Sequence, residues 1–218
     1  MFGRVRGAYC TTASNVAKYD AFHGLVILDE HNPLRFSQEQ VSDYFDTAMQ
    51  WVRMAHCADT QARYPFILWN CLVPPGGALT RPAIYMSKAW MNGIWAWDNC
   101  FNALIVAKAD PALAWDQLRL FFDHQESHGM IPDVINDLEP VYGFNKPPVY
   151  GWAITKLIKI QGEKKALPYL NEIYKPLTRL TEWWYTYRDF DADGMPQYHH
   201  GNDSGWDNAT VFDLGCPI

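Results

Sequence analysis

Cysteine is scarce in this 218-residue sequence: Cys10, Cys57, Cys71, Cys100 and Cys216 are five in number, and no two of them form a C-x-x-C pair. An odd, scattered set argues against a disulfide scaffold or a zinc ribbon and suits a reducing compartment. No apolar run approaches the ~20 residues needed to cross a bilayer. The stretch after Met1-Phe2-Gly3-Arg4 also lacks the apolar centre of a signal peptide. The chain therefore reads as soluble and cytoplasmic, with no membrane partner. Positive charge is short as well. Eighteen Lys+Arg against 24 Asp+Glu leave −6, the wrong sign for a nucleic-acid backbone, so no nucleic-acid partner is expected. G-x-S-x-G, H-E-x-x-H, the P-loop and G-x-G-x-x-G are all missing, which removes several common chemistries. His199 and His200 are adjacent, so a strand or helix would turn them apart rather than onto one metal.

What the chain does have is core material. Apolar residues make up 49% and charged residues 19%, the balance of a globular chain rather than a disordered one. Ten Trp and an aromatic share of 15% suit flat sugar faces, and suit an ordinary core equally well. The charge is unevenly placed. From Thr181 onward there are seven acids and one base, Arg188, so the whole net charge belongs to that short segment. No feature speaks to an oligomeric state.

The organisation changes along the chain. In the first part, Phe22 to Asp29 is an apolar β-type run stopped by Asn32-Pro33. Ser37 and Gln40 form a capping box ahead of a helical stripe of Val41, Tyr44, Phe45, Ala48, Trp51, Val52 and Ala55. Tyr64 to Val73 is a second strand-length run. Pro74-Pro75-Gly76-Gly77 then signals a turn. Beyond it helices are predicted over Asn99–Ala109, from Asp110-Pro111 to before Gly129, and from Pro148 or Val149 to Gly162. Lys165–Arg188 holds one or two more, with a kink or restart at Pro168 and Pro176.

Four constellations carry possible chemistry. Trp95-Ala96-Trp97-Asp98 precedes a predicted helix; Asp98 either caps that helix or bonds sugar hydroxyls while the indoles stack on the ring. Asp203-Ser204-Gly205-Trp206-Asp207 is a polar, Gly-bearing loop. There Asp207 is either a cap or a carboxyl kept protonated by partial desolvation, as a general acid requires. Asp189, Asp191 and Asp193 have the spacing of the first half of a calcium loop, but the twelfth position is His200 instead of Glu, and an acidic turn explains them equally. Lys146, ahead of Pro147-Pro148, and Gln125 are polar candidates that structural roles would also account for.

The second part resembles glycoside hydrolase family 63, the α-glucosidase and mannosylglycerate hydrolase type of six-hairpin enzyme. The resemblance spans roughly Cys71 to Ile218. It rests on Arg81 to Lys88, Trp90 to Asp98, Gly129-Met130-Ile131-Pro132, Lys146-Pro147-Pro148 and Asp203 to Asn208, five motifs in order. It implies a mainly α fold, a partial (α/α)6 toroid with about half the helical hairpins, preceded by a short α/β segment. It also implies hydrolysis of α-glycosidic bonds with inversion, on an oligosaccharide or small glycoside; no cofactor is expected to be required, and the spacing of Asp189, Asp191 and Asp193 allows a structural calcium. Asp207 then takes the place of the general acid, and Trp95, Trp97, Asp98 and Lys146 match positions that line the sugar subsite; Gln125 and Trp206 are added as substrate-binding candidates from the residues themselves. The trehalase family shares the Trp-Asp helix start and the Ser-Gly-Trp-Asp loop; Asn208 favours family 63.

Two departures qualify that expectation. The family's water-activating base is a Glu beyond Ile218, so the chain reads as truncated or composite. A sugar-binding remnant without catalysis, a trehalase-like hydrolase and a nucleotidyltransferase-like fusion are the alternatives. Residues 1–70 form a separate α/β segment. Ala13 to Asp20, His23 to Ile27, His31 to Leu34 and Trp69-Asn70-Cys71 resemble a galactose-1-phosphate uridylyltransferase-like nucleotidyltransferase. No histidine lies between His56 and His124, so the H-x-H nucleophile of such enzymes is missing.

Overall fold

The computed structural model describes residues 68, 71–87 and 90–206. The strand and helix expected before residue 68, most of the Tyr64–Val73 run, the proposed unit at 1–70, and Asp207 itself lie outside the described residues. Two small antiparallel sheets and four helices make up the described part. Strand β1 (Leu72–Val73) pairs with β2 (Ala83–Ile84), Leu72 opposite Ile84. Between them the Pro-Pro-Gly-Gly stretch closes a tight turn in which Gly76 and Leu79 exchange backbone hydrogen bonds of 2.9 and 3.0 Å. Strands β3 (Ile94–Trp95), β4 (Val134–Ile135) and β5 (Pro140–Val141) form the second sheet, in that order.

The helices fall close to their sequence signals. Helix α1 is Asp98–Val106 and α2 is Pro111–Asp123. Asp110 caps α2, its Oδ1 accepting from the Leu113 N–H at 2.9 Å, and Pro111 sits where a missing N–H costs nothing. Helix α3 is Tyr150–Gln161, and Gly162 divides it from α4, Glu163–Tyr187. Neither Pro168 nor Pro176 restarts α4. It runs unbroken through both, held by Ala166, Ile173, Leu180, Trp183 and Trp184, which are buried along one face. Packing of that stripe outweighs the bonds two prolines remove.

Helix α1 packs on α2 and on α3, while α4 packs on α2 and α3, so two helical hairpins lie side by side. Their shared core holds Trp115, Leu118, Phe121, Tyr150 and Leu157, all at 1% exposure or less. Trp115 stacks on Tyr169 with centroids 5.0 Å apart, and its indole N–H donates to Gln161 Oε1 at 2.8 Å. Buried amides join the sheet to the helices. Gln117 accepts from the Ile84 N–H at 2.9 Å and donates to the Pro82 carbonyl at 3.1 Å. Asn99 donates to the Gln117 carbonyl and to the Tyr150 hydroxyl. These bonds satisfy backbone groups that the two-residue strands leave open.

Candidate active site

Sheet register does the first positioning. Trp95 on β3 lies opposite Val134 on β4, and the next residue, Ala96, donates its N–H to the Asp133 carbonyl at 2.9 Å. The Asp133 N–H in turn donates to the Val141 carbonyl at 2.8 Å. The chain leaving β3 toward Trp97 and Asp98 is thereby laid against the residue that opens β4. Trp97 is the N-cap of α1 and Asp98 its first helical residue, with no side-chain cap hydrogen bond. Asp98 is therefore not the N-cap. Its half-buried carboxyl is raised above the usual range by burial, opposed by its own backbone N–H, by Lys146 and by the Trp97 side chain.

Lys146 enters the same space from the Pro-Pro loop before α3. Its Nζ lies 3.7 Å from Asp133 Oδ1 and donates to the Asn202 carbonyl at 2.6 Å. Asp133 is 6% exposed, and its Oδ1 has no hydrogen-bond partner among the described residues. Burial pushes its carboxyl up to about 6; Lys146 works against that shift, while Asp203 and Asp98 reinforce it. Three carboxylates and one ammonium, from four separate stretches of sequence, thus share one electrostatic field.

Asp203 organises the loop ahead of Asp207. It is 1% exposed. Its Oδ1 accepts from the Asn145 N–H at 2.8 Å, and its Oδ2 accepts from Arg188 at 3.1 Å and from the His199 and His200 amides at 2.9 and 3.1 Å. The His200 ring accepts from the Asn202 N–H, closing a capping box around the short 3-10 turn Gly201–Ser204. Gly205 follows at φ +71, and a Cβ there would lie 2.5 Å from Trp97 Cζ2. Only glycine fits both that backbone and that distance. The Trp97 ring thus underlies the turn and continues edge-on to Phe101, which meets Trp152. Trp206 is 67% exposed beside them, its N–H bonded to Ser204 Oγ at 3.0 Å.

Of the residues singled out in the sequence, Trp97, Asp98 and Lys146 converge, with the turn bearing Trp206 against them, and Trp95 is half-buried on the adjoining strand. Gln125 is engaged elsewhere: its Nε2 donates to the Gly129 and Pro176 carbonyls, both at 2.9 Å. It ties the chain after α2 to α4 where Gly129, at φ +108, passes close to the Arg179 carbonyl. Asp189, Asp191 and Asp193 do gather, with carboxylate oxygens within 4.8 Å of one another. Asp189 accepts from the Asp193 and Gly194 amides, Asp193 from the Met195 amide and Asp191 from Gln197. Two residues escaped the sequence reading. Asp133 follows the Gly-Met-Ile-Pro motif directly, and an acid closing an apolar stretch was the available signal. Arg188 was visible as the lone base among seven acids, and it pairs with Asp203.

Two helical hairpins whose connecting loops gather carboxylates beside the Trp97 and Trp206 indoles have the fold of a partial helical toroid. Solved structures share that fold. The GH63 mannosylglycerate hydrolase of Thermus thermophilus in complex with glucose superposes with a TM-score of 0.53 at 24% identity, over 67% of this chain and 40% of that one. The same enzyme with Tris and D-glycerate gives 0.54 at 19%, over 79% and 42%. Residues 91–217 match the model of the mannosylglycerate hydrolase MGH1-like glycoside hydrolase domain. The chain belongs to that family, within glycoside hydrolase family 63. Mannosylglycerate hydrolase MGH1 of Selaginella moellendorffii is 22% identical over 138 residues, 55% of this chain and 28% of the relative. The mannosylglycerate hydrolase of Rubrobacter radiotolerans is 26% identical over 145 residues, 55% and 32%. The chain thus spans about a third or less of these two relatives. Among the described residues no helix is long and apolar enough to cross a membrane.

Proposed function

We propose that this chain carries the acid side of an inverting glycosidase site for an α-glucoside or related α-glycoside, mannosylglycerate being the first to test. Asp207 is the general acid that protonates the departing glycosidic oxygen. Trp95, Trp97 and Trp206 stack on sugar faces, and Asp98 and Lys146 bond its hydroxyls; Gln125, held by the Gly129 and Pro176 carbonyls, takes no part. The observation that supports this most is the convergence of Asp98 and Lys146 beside the Gly205 turn, two residues ahead of Asp207. A general acid must hold its proton near neutral pH, which partial burial among like charges favours. Inversion also needs a carboxylate about 6.5–9.5 Å from the acid to activate water. By the family resemblance that group is a Glu.

In this reading no cofactor takes part, and a calcium ion on Asp189, Asp191 and Asp193 would be structural only. Residues 1–70 are a separate nucleotidyltransferase-like unit, residues 71–218 belong to the glycosidase domain, and the setting is cytoplasmic. The test pairs hydrolysis of mannosylglycerate and an aryl α-glucoside with tryptophan fluorescence titration. A saturable fluorescence change supports the sugar site. Any turnover must vanish in Asp207→Asn. Binding with no turnover favours the sugar-binding alternative; no response to any glycoside refutes both.

A further inference from the structure

We infer that Asp133 is the positioning residue of this site: its buried carboxylate holds the Lys146 ammonium where it grips the Asn202 carbonyl, and so sets the place of the turn leading to Trp206. The inference extends the proposed sugar site, and the contacts that carry it stand without it. Asp133 is braced by the backbone on both sides, through Ala96 and Val141, so its carboxylate is a fixed point rather than a mobile surface acid. No hydrogen bond within the described residues reaches its Oδ1, and Lys146, at 3.7 Å, is the one cation paired with it there. An acid buried at 6% exposure without a hydrogen bond on that oxygen is expensive to keep. Hydrophobic packing would be served better by Val or Leu, so the carboxylate stands to be explained by what it holds.

Lys146 passes the constraint on. Its Nζ reaches the Asn202 carbonyl at 2.6 Å, and the preceding Asn145 amide bonds Asp203 at 2.8 Å. Residues 145–146 are thereby clipped to 202–203 at two successive points. The same turn is closed from its other side by Arg188 and rests on Trp97 at Gly205. The charged groups facing Asp133 are Lys146, Asp98 and Asp203, and Lys146 alone among them attracts it. Without that anchor the ammonium is free to swing toward Asp98, the other acid that feels it, and the clip on Asn202 is released.

The lysine ammonium is the direct reporter. In 1H–15N spectra of the full chain at pH 7.5 a protected ammonium signal is expected, assigned by its disappearance in Lys146→Arg. Asp133→Asn should abolish that protection, leaving the ammonium exchanging at least tenfold faster, and Asp133→Glu should restore part of it. Amide exchange at Asn145, His199 and His200 should quicken in Asp133→Asn while core amides of α2 stay unchanged, a pattern general destabilisation does not produce. Where glucose or mannosylglycerate binding is measurable, Asp133→Asn should raise Kd at least tenfold. A protected ammonium that persists in Asp133→Asn overturns the inference, even if sugar binds. Loss of protection with no sugar binding in the wild type sustains the inference and removes only the sugar reading.

Discussion

Removing the Asp203 carboxylate should unfasten the candidate site and cost more stability than any exposed substitution. Asp203 is 1% exposed and Arg188 8%, and the carboxylate accepts one guanidinium and three backbone hydrogen bonds. Asp203→Asn preserves the shape but turns an amide donor toward donors and leaves the guanidinium unpaired. Breaking a buried pair by removing one partner costs about 3–5 kcal/mol. For a chain of this size that is a fall of roughly 6–20 °C in Tm. Arg188 keeps its positions over Trp183 and Trp184, 5.4 and 5.9 Å from their ring centres, which favours the lower half of that range. Arg188→Met isolates the pair. In the wild type it strands the carboxylate; in the Asp203→Asn background it removes a charge already stranded. The second cost should be smaller than the first by about 1–3 kcal/mol. Urea unfolding of the four proteins, followed by circular dichroism, measures all terms. A loss below about 1 kcal/mol for Asp203→Asn, or an equal cost of Arg188→Met in both backgrounds, refutes the argument.

Other outcomes follow from the same geometry. Gly205→Ala meets Trp97 at 2.5 Å from a φ of +71, so strain and overpacking together should cost about 2–4 kcal/mol and shift the Trp97 emission; an unchanged spectrum and Tm would count against the close approach. Folded Asp133 keeps its proton to about pH 6, whereas an ordinary Asp releases it near 3.8. Between those values the folded state binds more protons, so this group's contribution to stability falls as pH rises, by up to about 3 kcal/mol. The difference in unfolding free energy between wild type and Asp133→Asn, followed from pH 4 to 6.5, should show that slope. Trp115→Ala removes a fully buried ring and its bond to Gln161 and should cost about 3–5 kcal/mol in denaturant unfolding. Substituting Arg81 by Met should cost only about 1–2 kcal/mol. Its bonds to Asp123, Asp116 and Glu172 are numerous but partly solvated.

Local signals in the sequence were enough for the helices. Asp110-Pro111 opens α2, Gly162 separates α3 from α4, and the apolar spacing of Leu113, Ala114, Leu118, Phe121 and Phe122 gives the face that α2 buries, because caps and a 3.6-residue period depend on near neighbours. The motif order carried the family as well. Continuity of α4 through Pro168 and Pro176 was not local, since it rests on a stripe packed against other helices. Apart from β1, which falls inside the Tyr64–Val73 run, the two-residue strands escaped for the same reason: a pair that short has no period and exists only through its partner, as Trp95 does opposite Val134. The site shows the division most sharply. Trp97, Asp98, Lys146 and the 203–206 loop could be named one by one from their neighbours in the chain. That Asp133 faces Lys146, and that Asp203 takes Arg188, required the register of a three-stranded sheet and the packing of two hairpins. Charge pairing across 13 and 15 residues is decided by tertiary distance, which sequence spacing does not encode.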